Sequence, residues 1–163
     1  MLLKKKKRQQ QETGEDGAAA KQKGEAPPPR MQLLPHLKRL DLIHCPKLRA
    51  LPPQLGQEAT NLKELRFYNV DSLKVVENLL FLSKELRIVG CQCLEGVSNL
   101  PQLRDLWVSR CPNLRRVEEL GNLEQLWLDE GMESLSSHWV PGLKEQHQKL
   151  HGDSLDIYTW PRT

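Results

Sequence analysis

From Leu37 onward the chain repeats one arrangement of apolar and polar positions. The motif L-x-x-L-x-L-x-x-C-x-x-L fits "LKRLDLIHCPKL" (37–48), "LKELRFYNVDSL" (62–73), "SKELRIVGCQCL" (83–94) and "LRDLWVSRCPNL" (103–114). A looser fifth copy, "LEQLWLDEGMESL", begins at Leu123 and is one residue longer before Leu135. The second leucine of each copy falls at Leu40, Leu65, Leu86, Leu106 and Leu126, at spacings of 25, 21, 20 and 20 residues. A near-constant period over five copies marks a solenoid, in which each unit buries its apolar face only by stacking on the next.

Within each copy the L-x-L core alternates apolar and polar at period two, which predicts a short strand with one buried face. Between strands the apolar residues recur every three, as in Leu94, Val97, Leu100, Leu103 and again in Leu114, Val117, Leu120, Leu123. That spacing suits extended or 3₁₀ segments better than an α-helix. The outer side is therefore expected to be mostly loops and short turns, with helix only in the longer first repeat and near the C-terminus.

Three positions past each strand, where the chain must turn away from the sheet into the coil, stand Cys45, Val70, Cys91, Cys111 and Gly131. A cysteine beside an arginine, as Cys111 is beside Arg110, could be an activated thiol. The turn gives another reason for it. A free cysteine is a small hydrophobe with a weak S–H donor, and that donor could serve carbonyls of the neighbouring coil. Cys45, Cys91 and Cys111 are read as structural.

Parallel strands about 4.8 Å apart would align their outward residues in columns. One column is Asp41, Arg66, Arg87, Trp107, Trp127; beside it run Arg39, Glu64, Glu85, Asp105, Gln125, and Ile43, Tyr68, Val89, Ser109, Asp129. Trp107 and Trp127, near Tyr68 and Arg87, form an aromatic and cationic patch of the type enriched at binding hot spots. Alternatively the rings stack on one another and on the C-terminal segment. Arg66 is grouped with the binding candidates, although the carboxylates beside Arg66 and Arg87 also suit cross-strand ion pairs.

Charge divides the 163 residues unevenly. Residues 1–30 hold eight Lys/Arg against four Asp/Glu, a net of +4, and residues 31–163 hold sixteen against seventeen, a net of −1. The near-neutral remainder argues against a nucleic-acid face on the folded domain. From Lys4 to Pro29 the only β-branched residue is Thr13 and no aromatic occurs, so 1–30 reads as a disordered basic tail. Its cluster Lys4–Arg8 offers a nuclear-import or polyanion contact. Residues 31–137 read as repeats and 138–163 as a capping segment, with Trp139, Leu143, Leu150, Leu155, Ile157 and Trp160 as its apolar contacts. No capping pattern precedes Leu33, so the first coil is expected to show an apolar edge.

No run is apolar enough for a membrane span, and no export signal is visible. The four cysteines are accordingly expected as free thiols in a reducing compartment, the cytoplasm. His147 and His151, four apart, lack a third metal ligand, and Gln148 stands where a metalloprotease carries glutamate. Cys91 and Cys93 point apart. No catalytic, cofactor or metal site is assigned, and the chain reads as a non-enzyme.

"LKRLDLIHCPKLRALP" and "LRDLWVSRCPNL" resemble leucine-rich repeats of the cysteine type found in plant intracellular immune receptors, the disease resistance proteins with coiled-coil and nucleotide-binding segments. "HWVPGLKEQHQKLHGDSLDIYTW" (138–160) resembles the closing segment common in cereal members. The resemblance covers roughly residues 33 to 160. It implies an α/β solenoid with short parallel strands on the concave face, and a module that binds a pathogen effector, a host decoy or a nucleotide-binding receptor domain. No phosphate-binding G-x-x-x-x-G-K-[ST] is present, so the family's nucleotide switch has no residues here. The expectation is a truncated or partial receptor. The alternatives are the substrate-recognition repeats of a ubiquitin-ligase adaptor and an orphaned receptor fragment without function.

Overall fold

The computed structural model describes residues 34–161. The expectations for the basic tail, including Lys4–Arg8, lie outside the described residues. After a 3₁₀ turn at Leu34–His36 the elements are β1 (Arg39–Ile43), α1 (Pro53–Glu58), β2 (Glu64–Tyr68), β3 (Val75–Glu77), β4 (Glu85–Val89), β5 (Gly96–Ser98), β6 (Asp105–Ser109), β7 (Arg116–Glu118) and β8 (Gln125–Asp129). A 3₁₀ turn at Glu130–Met132 leads to α2 (Glu133–Ser136), α3 (Val140–His151) and β9 (Asp156–Trp160).

The chain winds as a solenoid. Strands β1, β2, β4, β6, β8 and β9 form one parallel sheet in that order, and β3, β5 and β7 form a second. The register aligns the repeat leucines, with Leu40 opposite Leu65, Leu65 opposite Leu86, Leu86 opposite Leu106 and Leu106 opposite Leu126. Period-two alternation appears as expected: β2 and β4 bury their second and fourth residues and leave the rest half-exposed. Leu65, Phe67, Leu86, Ile88, Leu106, Val108 and Leu126 are all 0 % exposed. Burying one such side chain stabilises the fold by roughly 1.5–3 kcal/mol.

The second sheet departs from the expectation of loops. Val75, Gly96 and Arg116 align, as do Val76, Val97 and Val117. Three-residue strands are too short to show alternation, and all of β5 is buried. Helix lies where it was expected. Short α1 occupies the extra length of the first repeat, and Gly56 lets it approach the backbone of Asn78, whose carbonyl a Cβ would strike.

Three successive coils turn at two corners through left-handed residues, and the first coil at one. His44, Asn69, Gly90 and Arg110 follow strands of the large sheet with φ of 52°, 56°, 70° and 53°. Asn78, Asn99 and Glu119 follow β3, β5 and β7 with φ of 60°, 55° and 59°. Asparagine and glycine tolerate that region best. Gly90 is further required because a Cβ there would collide with Asn69 Oδ1.

The cysteine position comes one residue after the first corner. Cys91 and Cys111 are 0 % exposed, and all four cysteines are free. Cys111 Sγ lies 3.3 Å from Ser109 O and 3.9 Å from Ile88 O. Cys91 and Cys45 approach Val89 O and Ile43 O at 3.9 and 3.7 Å. The thiols thus face mainly the carbonyl two residues back in their own coil, and Cys91 and Cys111 also meet each other across neighbouring coils. The Cys91 thiol against it, together with burial, pushes Cys111 well above the usual thiol range, so it stays protonated and inert. Cys45 departs from the set by being only half-buried, because among the described residues no coil stacks on its outer side. Cys93 is exposed, whereas Cys91 is buried.

The C-terminal segment closes the other end. Trp139, Leu143 and Leu155 are buried at 4 %, 3 % and 6 % exposure, and Ile157 packs against the same core. Leu150 does not serve as expected; it is 59 % exposed. The segment also supplies a strand the repeat motif does not reveal, since β9 pairs in parallel with β8, Ile157 opposite Leu126.

Candidate functional site: an aromatic ladder on the large sheet

The outward columns form as the repeat register requires, and β9 extends each by one residue. Asp41, Arg66, Arg87, Trp107, Trp127 continue into Tyr158, because Trp127 is opposite Tyr158. The column ending in Asp129 continues into Trp160, and the one ending in Gln125 into Asp156.

In the middle column these side chains stack. The guanidinium carbon of Arg87 lies 4.4 Å from the Trp107 ring centroid. Trp107 and Trp127 are 4.3 Å apart and within 2° of parallel, and Trp127 and Tyr158 are 4.3 Å apart at 22°. Trp160 leans back over the small Ser109 and the buried Asp129 to reach Trp107 at 5.6 Å and 48°. Each such contact contributes about 0.5–1.5 kcal/mol beyond burial. The ladder therefore includes both features the sequence left as alternatives, a half-exposed aromatic patch and stacking on the C-terminal segment. Tyr158 and Trp160 were missed as members of this face. The sequence signal was the aromatic and β-branched run "DIYTW" at 156–160.

A shallow groove of about 340 Å³ opens beside the ladder, lined by Tyr68, Arg87, Val89, Trp107, Trp127 and Trp160 among others. Four of the five binding candidates, Tyr68, Arg87, Trp107 and Trp127, are thus brought together. The fifth, Arg66, is not. Its Nε donates to Glu85 Oε2 at 3.0 Å and its NH2 to Glu64 Oε1 at 3.3 Å. Arg87 Nε shares the same Glu85 oxygen at 3.3 Å, and Arg39 bonds Asp41 at 2.9 Å. Arg66–Glu85 is a cross-strand ion pair of the type the carboxylate column suggested, and the other three contacts run along single strands.

Two positions behave differently from their columns. Asp129 is 1 % exposed. It turns under the sheet to accept from Met132 N at 3.0 Å and Ser109 Oγ at 2.9 Å, capping the 3₁₀ turn where the repeat pattern placed an outward residue. Asp105 is half-buried beside the ladder, and burial with Glu124 and Glu85 nearby pushes its carboxyl up. Trp127 Nε1 donates to Gln125 at 3.3 Å, whereas Trp107 Nε1 is buried without an acceptor among the described residues.

The two histidines of α3 hold it to the repeats. His147 Nδ1 lies 3.0 Å from Leu123 O and its Nε2 2.7 Å from Asp153 Oδ1, and His151 Nε2 lies 2.7 Å from Gly121 O. Among the described residues no group of three or more His, Cys, Asp or Glu is arranged to hold a metal ion. A larger groove of about 900 Å³ runs along the strand starts, but its lining is polar throughout, with charges of both signs from Lys63, Lys84, Arg104, Glu124 and Asp153. Among the described residues no helix is long and apolar enough to cross a membrane.

Compared with known protein families, with curated proteins and with solved structures, the chain matches none.

Proposed function

We propose that the chain is a leucine-rich-repeat interaction module of the kind found in plant disease resistance proteins, a part of such a receptor that binds protein in the cytoplasm. On this reading the six-stranded sheet is the concave, recognising face. The observation that carries the proposal is the Arg87–Trp107–Trp127–Tyr158 ladder beside its groove. Its rings are held by one another before any partner arrives, so docking on them orders few side chains, and that ordering cost is what most weakens association. Tyr68, Arg87, Trp107, Trp127 and Trp160 are the contact residues, while Arg66 belongs to the scaffold.

The same face supports a non-catalytic reading. Ser109, on β6 beside the groove, is 7 % exposed and donates to Asp129, which is already engaged in capping Met132. A nucleophile needs a base to take its proton, and here the carboxylate serves the fold.

The test is affinity capture from plant cell extract with quantitative mass spectrometry, using the full chain, Trp127→Ala and Arg66→Ala. A partner kept by Arg66→Ala, lost with Trp127→Ala and rebound as a purified protein supports the reading. Chaperones alone, captured equally by all three, would sink it.

A further inference from the structure

Among the described residues, no coil stacks on the outer side of the first coil. Leu40, Leu42, Cys45, Leu48 and Leu51 are only half-buried. Their stacked equivalents one coil on, Leu65, Phe67, Val70, Leu73 and Val76, are 0 % exposed. Ile43 is 56 % exposed, and β1 is an edge strand. An edge strand with apolar surface behind it is a template for another strand.

The backbone states which residues are offered. Lys38 O accepts from Lys63 and Glu64, and His44 N donates to Tyr68 O. Backbone groups alternate along a strand, so Lys38, Leu40, Leu42 and His44 face β2, while Arg39, Asp41 and Ile43 turn theirs to the free edge. The outward side chains on that edge are then one cation, one anion and one exposed isoleucine.

That edge complements itself in one antiparallel register. A two-fold axis at Asp41 would set Asp41 against Asp41, and an axis at Leu42 would set Asp41 against Ile43. An axis at Leu40 sets Arg39 opposite Asp41 of the second copy, twice, with both residues offering backbone groups and Leu40 meeting Leu40 on the apolar side. Opposite charges directly across an antiparallel pair are favourable, and like charges are not. In the free chain Arg39 and Asp41 bond each other at 2.9 Å along the strand; pairing exchanges the one such contact of each copy for two between copies, and adds the backbone bonds of the edge.

We propose that two copies of this chain join through their β1 edges, antiparallel about Leu40, so that the half-covered first coils close on each other and the large sheets become continuous. Such an interface is isologous and closes at two.

The experiment is sedimentation velocity of the full chain over a wide concentration range, with circular dichroism as the folding control. The expected result is a monomer–dimer equilibrium. Ile43→Lys should abolish it, and Arg39→Asp or Asp41→Arg should each weaken it about tenfold or more, since the two-fold axis makes every change act twice. The double exchange Arg39→Asp with Asp41→Arg should restore the dimer. A monomer at every concentration, open-ended association, a dimer indifferent to Ile43→Lys, or a double exchange no better than the singles would overturn the proposal.

Discussion

The two halves of the large sheet share one strand design and finish it with different chemistry. On β1, β2 and β4 the outward residues are Arg39, Asp41, Glu64, Arg66, Glu85 and Arg87, joined side by side as ion pairs. On β6, β8 and β9 they are Trp107, Trp127, Tyr158 and Trp160, joined face to face as rings. Both solve one problem, since identical register brings like beside like every ~4.8 Å. Aromatics tolerate that repetition and stack. Charges do not, so the first half alternates sign along each strand, and the like charges that register sets across β2 and β4, Glu64 beside Glu85 and Arg66 beside Arg87, are offset by the diagonal Arg66–Glu85 pair. Partly exposed pairs contribute about 0.2–1 kcal/mol each and fade with salt. Ring stacking contributes as much or more and is indifferent to salt. The aromatic half is thereby the one whose contacts withstand salt, and Arg87 joins the two.

The sharpest way to break this contrast is Trp127→Ala, which removes the rung between Trp107 and Tyr158. A cost of about 2–4 kcal/mol is expected, read by urea unfolding, with loss of the near-ultraviolet dichroism of the two parallel indoles. Neither effect should change in high salt. Glu85→Ala attacks the other half by removing the carboxylate that Arg66 and Arg87 share at 3.0 and 3.3 Å. About 1–2 kcal/mol is expected, and this cost should shrink in high salt. A difference that is equal in low and high salt would erase the distinction drawn between the halves.

The smallest effect is expected at the boundary. Burial and the neighbouring Glu124 and Glu85 raise the carboxyl of Asp105 in the folded chain. A raised acid favours the folded state when protonated, so its contribution is present below the unfolded value and lost as pH rises through the folded one. Asp105→Asn should therefore stabilise the protein at neutral pH, within about 0.5 kcal/mol, and the gain should vanish on acidification. A variant less stable than the parent at neutral pH would mean that Asp105 is held by a favourable contact.

How much of this was legible in the sequence depends on the length of each element. Five-residue strands carry two full alternations, so Leu40 to Leu126 and the columns beside them could be read directly. Three-residue strands carry none, and Val97 and Val117 read as members of two apolar series with a spacing of three, in loops. Strand β9 was obscured because "DIYTW" lacks the leucine pair; its place is set by Ile157 stacking on Leu126, a contact across 31 positions. The burial of Asp129 arises from a 3₁₀ turn that the fifth repeat forms in place of the cysteine corner. Four candidates converged on the groove because columns follow from register alone. Arg66 does not line the groove, because position in a column does not say which neighbour a long side chain will reach.

The difference between the two ends of the solenoid also has a consequence in time. Contacts run from each coil only to the next, so opening can start at an end and proceed one coil at a time. One end is closed by α3 and β9; the other shows Leu40, Leu42 and Leu48 half-covered. The amides of β2 should then exchange with deuterium sooner than those of β6, with β4 between them, so that the protein unravels from the charged half while the ladder is still standing.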